Sequence, residues 1–234
     1  MKAGRSITDI AQEIQRQASS KKDFIADTRR LSLTSHPNDG IVMQGVNGGM
    51  KLKPIAHAQL AATLQIPKPY YDRMMTDAPD LLTRNVNEWL QKQPAKKLIR
   101  CLDGEVRAML SDSYRPLDNL DLAEAVLPKL LQLGARIESA EVTENRFYLK
   151  AVTDKVSAIV PGSRRVGDII QAGVSISNSE VGQGKLRIEE LDFALICLNG
   201  MIRAAVVAKA HLGRSSGGAD ALEDAREFFR SETR

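Results

Sequence analysis

The stretch "LSDSYRPLDN", residues 110–119, gathers Asp112, Tyr114, Arg115, Asp118 and Asn119 just after a run that reads as a β-strand. Side chains of these types could do three things. Converging carboxylates could hold a divalent metal for hydrolysis. An arginine oriented by an aspartate, next to a tyrosine, could hold a phosphate beside a stacked base. The cluster could also be only the polar corner at which a strand turns into a helix. Asp118-Asn119 reads as a turn and Asp121 as a cap for the helix that follows, which draws Asp118 and Asp121 away from a metal set with Asp112. Tyr114 and Arg115 remain to face a ligand or another subunit, with Asp112 expected to orient Arg115 through an ion pair; a wholly structural corner is the alternative.

Other chemistry finds little footing. "SEVGQGKL" superficially resembles a phosphate-binding loop, but Ser179 stands where the first glycine should be and Leu186 follows Lys185, in a run that reads as a strand rather than a helix. The three histidines, His36, His57 and His211, form no metal-ligand pattern, and Cys101 and Cys197 lie in apolar runs suited to reduced core thiols. No catalytic residue, metal or cofactor is therefore expected, and the chain reads as a binding protein rather than an enzyme.

The 234 residues are 43% hydrophobic, enough for a substantial core, and carry 33 Lys and Arg against 29 Asp and Glu. The tilt permits a polyanionic partner, and basic pairs recur as Lys21-Lys22, Arg29-Arg30, Lys96-Lys97 and Arg164-Arg165. No run approaches the roughly 18 apolar residues of a membrane span, and the N-terminus lacks the apolar stretch of a signal peptide, so a cytoplasmic protein without a membrane partner is expected.

The elements that would position these residues follow from spacing. Ile7, Ile10, Ala11, Ile14 and Ala18 predict an amphipathic helix, and "IVMQGVNGGMKLKPI" predicts two short strands around Asn47-Gly48-Gly49. Three segments, "PIAHAQLAATLQI", "PKPYYDRMMTD" and "APDLLTRNVNEWL", each open on a proline suited to a first helical turn. From residue 96 the pattern turns to strands: "KKLIRCL" and "EVRAMLS" flank Asp103-Gly104, a strong hairpin signal. A helix over "LDLAEAVLPKLLQL", kinked at Pro128, leads to a hairpin around Glu144-Asn145 and another around "SEVGQG". Between these two hairpins, "TDKVSAIVPGSRRVGD" reads as a loop. The predicted fold is α+β: an antiparallel sheet of hairpins with a central helix, in the order hairpin-helix-hairpin-hairpin, preceded by a mostly helical N-terminal region. Expected boundaries are 1–95, 96–214 and 215–234, the last a linker and the start of a truncated C-terminal helix.

The segment "QLAATLQIPKPYYDRM" also approximates a helix-turn-helix, with Ala61 small, a turn at Gln65 and Ile66 apolar. It departs from the pattern at Tyr71, where Val or Ile is usual, and at the two prolines opening its second helix.

Three blocks, "RAMLSDSYRPLDNLDLAEAVLP", "IPKPYYDRM" with "APDLLTRNVNEWL", and "QAGVSISNSEVGQGKLRIEELDFALICLNGMI", resemble the signature blocks of the phage/plasmid-like protein family, a domain of unknown function numbered 932. The resemblance implies DNA metabolism over small-molecule turnover. In topology alone, the hairpin, helix and hairpin order is similar to single-strand annealing proteins of the RecT/Redβ type, which hold a strand in a basic groove across a ring or helical filament.

The expected function is thus single-stranded DNA binding by an oligomeric recombination or annealing protein that holds the phosphate backbone. A surface that leaves base edges free for pairing needs cations more than stacking platforms, and the aromatic content is only 4%. Candidate contacts are Lys96, Lys97, Arg100, Arg107, Arg115, Arg164, Arg165, Lys185 and Arg187, with Tyr114 as a stacking side chain. Strand alternation splits them between faces, so not all can serve. The alternatives are a duplex-binding regulator with a degenerate helix-turn-helix, a protein-interaction module and, third in order, a metal-dependent nuclease using Asp112 and Asp118.

Overall fold

The computed structural model describes residues 7–46, 48–159, 169–194 and 208–210. The fold is mixed α+β, and the described strands form three open antiparallel sheets. The chain divides into two compact units, Gln17–Tyr114 and Met1–Arg16 with Arg115–Arg234.

The first unit carries two of the sheets. Its strand β1 (Lys22–Asp27) pairs with β5 (Lys96–Leu102), which pairs with β6 (Glu105–Ser111). The β5–β6 hairpin turns on Asp103 and Gly104, at φ 54° and 78°. Two successive positive φ values give the twist that a tight hairpin requires, as the Asp-Gly pair predicts. The Ser20 hydroxyl secures this turn, donating to the Asp103 carboxylate at 2.6 Å and accepting the Asp103 N–H at 3.0 Å. The second sheet orders β2 (Ser32–His36), β3 (Gly40–Gln44) and β4 (Met50–Lys51), with Gly48 and Gly49 at positive φ in the predicted β3–β4 turn.

Three proline-led helices follow: α2 (Pro54–Thr63), α3 (Lys68–Asp77) and α4 (Pro79–Lys92). Their apolar faces meet the sheets in one core that includes Leu33, Met43, Leu60, Leu82, Val86, Leu90, Ile99 and Val106. Asn87 ties α4 to β2 through both backbone groups of Leu33, at 2.6 and 2.9 Å.

In the second unit, the helix α1 (Ile7–Ser20) contributes Ile10 and Ile14 to a core built with α5 (Asn119–Gln132) and a five-stranded sheet. Its strands β7 (Ala135–Val142), β8 (Phe147–Ile159), β9 (Ile169–Asn178), β10 (Arg187–Ala194) and β11 (Ala208–Ala210) are ordered β11-β10-β9-β8-β7. Leu122, Val126 and Leu130 of α5 cover Phe147, Leu149, Ile176 and Ile188 of the sheet. The helix runs through Pro128.

Three expectations change. The N-terminal region holds four strands, β1 to β4, beside its helices; the alternation of buried Leu31 and Leu33 with Ser32 and Thr34 is short and sits behind a basic run that hides it. The hairpin at 96–111 does not join the later hairpins in one sheet; it forms a separate sheet with β1, which pairs with β5. The first seven residues of the expected loop, 153–159, instead continue β8 to Ile159 and pair with β9 beyond a register shift, and the rest of it up to residue 168 lies outside the described residues. The C-terminal helix expected after residue 215 lies outside the described residues. No described helix is long and apolar enough to cross a membrane.

Candidate nucleic-acid interface

A short 3-10 turn, Thr28–Arg30, joins β1 to β2 and carries two arginines into solvent. Four contacts fix it. Thr28 is buried, its N–H donates to the Ala95 carbonyl at 2.9 Å, and its hydroxyl accepts the Ala95 N–H at 2.9 Å, which locks the turn to the residue before β5. The Gln91 amide of α4 donates to the Arg29 carbonyl at 2.9 Å. On the other side Gly45, at φ 87°, lies so close that an added Cβ would stand 2.0 Å from the Arg30 carbonyl oxygen.

The turn borders an open groove of ≈ 540 Å³ lined by Ile25, Asp27, Arg29, Arg30 and Lys96. Asp27 and Lys96 are direct partners in the β1–β5 register and Ile25 lies two residues before Asp27, so all three share one face of the sheet. The Asp27 carboxylate is committed to Arg29: it accepts Nε at 3.0 Å, Nη2 at 2.7 Å and the Arg29 backbone N–H at 3.0 Å. These hydrogen bonds hold Asp27 far below the usual carboxylate range and raise Arg29, so both stay charged. Lys96 across the strand pair and Arg30 on the turn make no ion pair within 4.0 Å among the described residues, although the Arg30 charge also helps to hold Asp27 low. Among the described residues the groove thus presents three cations and one carboxylate, with Arg30 and Lys96 in no ion pair and Ile25, 60% exposed, as an apolar wall.

The ten residues singled out from sequence are dispersed. Lys96 is exposed in the groove, and Lys97 is half-buried on the opposite face of β5. Arg100 is corrected: it is fully buried rather than a surface cation, its guanidinium held by Asp23 on β1 at 3.1 and 3.2 Å. Arg107 is corrected on the same ground. It falls where the β5–β6 register shifts, between the pairs Arg100↔Ala108 and Cys101↔Val106, and is 5% exposed. Tyr114 is half-buried. Arg115 is exposed and forms no ion pair with Asp112 or any other described residue; the Asp112 carboxylate instead lies 3.4 Å from the Ser111 hydroxyl. Lys185 and Arg187 are exposed at the start of β10, flanking buried Leu186, with Arg187 3.9 Å from Glu189. Arg164 and Arg165 lie outside the described residues. Lys96 and Lys97 belong to the first unit, and Arg115, Lys185 and Arg187 to the second.

Arg29 and Arg30 are thus the groove cations absent from the sequence-derived set. The Arg-Arg pair stands out as basic in sequence, but its neighbour Lys96 is far along the chain and is brought to it only by the β1–β5 pairing.

Among the described residues no three His, Cys, Asp or Glu side chains gather where a cation could be held. The segment read as an approximate helix-turn-helix folds as α2 and α3 joined through Gln65. Gln65 turns at φ 56°, and Ala61, Ile66 and Tyr71 are buried between α2 and α3. The exposed side of α3 is electrically spent, however, since Lys68 pairs with Asp72 at 2.5 Å and Arg73 with Asp77 at 3.6 Å. No family model matches the chain, and no curated protein or solved structure matches it either.

Proposed function

We propose that this chain binds single-stranded DNA through its phosphate backbone, as an oligomeric recombination or annealing protein of phage or plasmid type. The observation that carries the reading is the groove of the first unit, where among the described residues Arg29, Arg30 and Lys96 line one cavity with one carboxylate, that of Asp27, already paired with Arg29. Cations held on a locked turn bind phosphates at little ordering cost and read no base edges, as a pairing surface requires. In sequence order β5–β6, α5 and β7–β8 run hairpin, helix, hairpin, and because the first hairpin pairs with β1 in a separate sheet, the likeness to the annealing proteins rests on element order alone.

Binding of a labelled mixed-sequence single strand across a salt titration, with light scattering to report assembly size, tests the proposal. Large assemblies and a steep salt dependence are expected, with Lys96→Ala and Arg30→Ala each flattening the slope by about 0.7, the contribution of one phosphate contact on a single strand. Absence of binding at low salt, or a discrete monomer, overturns it.

The geometry of α2, Gln65 and α3 favours a second reading, duplex binding by a helix-turn-helix. Its recognition helix offers two cations that are both ion-paired, which places it second. Sequence-selective duplex binding, lost on Arg73→Ala and Lys68→Ala, would promote it.

A further inference from the structure

We propose that the groove formed by Arg29, Arg30 and Lys96 takes a terminal phosphomonoester, the phosphorylated end of a strand, rather than an internal phosphodiester; this rests on the single-strand reading. Charge is the first reason. Among the described residues three cations against one carboxylate give the cavity a net charge of two positives, contributed by the 3-10 turn and the start of β5. An internal phosphodiester brings one negative charge, whereas a phosphomonoester brings about 1.5 to 2 at neutral pH and three strong acceptor oxygens.

Preorganisation is the second reason. Asp27 fixes the Arg29 fork by two side-chain hydrogen bonds, at 3.0 and 2.7 Å, and leaves the remaining guanidinium N–H groups for an anion. Thr28 and Gly45 hold the backbone of the turn, so its arginines start from a defined place. The third reason is size and lining. A volume of ≈ 540 Å³ lies within the range of about 300–1,000 Å³ usual for small-ligand sites, which leaves room for a terminal sugar and base beside the phosphate. Ile25, exposed on the same sheet face, offers those groups an apolar wall.

The decisive experiment compares one short mixed-sequence strand in five forms: 5′-phosphorylated, 3′-phosphorylated, hydroxyl at both ends, closed into a circle, and as the 5′-mononucleotide alone. One phosphorylated end is expected to bind about tenfold more tightly than the hydroxyl-ended and circular forms, the gain of an added charge-assisted contact. Arg30→Ala and Lys96→Gln, both at exposed positions, are expected to erase that difference, while thermal melting confirms that each variant is folded. Equal affinity for phosphorylated, hydroxyl-ended and circular strands overturns end recognition and leaves backbone binding standing. If no strand binds but the mononucleotide does, with the same sensitivity to Arg30→Ala, the single-strand reading fails and the phosphomonoester site survives as a nucleotide site. Absence of binding by all five forms overturns both.

Discussion

Glu180, in the turn between β9 and β10, accepts the backbone N–H of Asn119 at 2.7 Å with its Oε1, closing the first turn of α5 from a position 61 residues away. Asp118, at the N-cap, makes no capping hydrogen bond with its own side chain. Asn178 completes the brace by donating to the Leu117 carbonyl and to the Asn119 side chain, both at 2.9 Å. Leu117 and Asn119, at the end of "LSDSYRPLDN", thus sit in a buried structural corner served from another loop. Glu180→Ala should lower stability by about 1–3 kcal/mol, the cost of stranding a buried donor, and Asp118→Ala by less. Denaturant melts of the two variants check the order; equal losses would mean that the cap lies with Asp118 after all.

Gly45 is required by two facts at once, its φ of 87° and the 2.0 Å that would separate an added Cβ from the Arg30 carbonyl oxygen. Gly45→Ala should therefore cost about 2 kcal/mol or more and displace the turn that presents Arg29 and Arg30. Gly40, at φ 69° with nothing within 4 Å of an added Cβ, is the matched comparison, and Gly40→Ala should cost about 1 kcal/mol from backbone strain alone. Thermal melts and strand binding of both variants separate the steric effect from the conformational one.

His57 on α2 is 8% exposed, and its Nδ1 lies 2.8 Å from the Tyr71 hydroxyl of α3. Burial pushes its pKa down to about 4, with the Lys68 charge adding to the shift and Asp72 opposing it. Between pH 6.5 and 4 the unfolded chain therefore binds a proton at His57 that the folded chain refuses. The stability tied to the neutral ring is present in full above pH 6.5 and is lost as pH falls through 4, a total of about 3 kcal/mol. Urea melts at successive pH values should show this loss in the native protein and a shallower one in His57→Gln. A parallel pH dependence in both would assign the acid sensitivity elsewhere.

The parts of the fold legible in sequence were those written in local chemistry: the Asp103-Gly104 and Gly48-Gly49 turns and the prolines opening α2, α3 and α4. The parts missed depend on pairing across long separations. Strand β1 has no clean alternation of its own, and nothing near residue 22 announces that Lys22 will face Cys101 and Asp27 will face Lys96. That one pairing decides three matters together: which sheet receives the 96–111 hairpin, which cations line the groove, and which arginine disappears into the interior. Composition marked Arg100 as a surface cation because arginines seldom go under without a partner, and its partner Asp23 becomes visible only once β1 is laid against β5.

The ion pair of Arg100 and Asp23 makes a separable prediction about what basic residues do in this protein. Arg100 is wholly buried, so Asp23→Ala should deprive an interior charge of its carboxylate and cost about 3 kcal/mol, and Arg100→Ala should cost a similar amount through lost packing. Replacing both together with apolar residues, as in Asp23→Leu with Arg100→Met, should restore part of that stability, because neither charge is then left in the interior. Strand binding should follow a different pattern. For the folded fraction of each Arg100 variant the salt slope should stay that of the native protein, whereas Lys96→Ala flattens the slope and leaves the melting temperature unchanged. A flattened slope in Arg100→Met would show that the guanidinium reaches phosphate despite its burial and would return Arg100 to the interface.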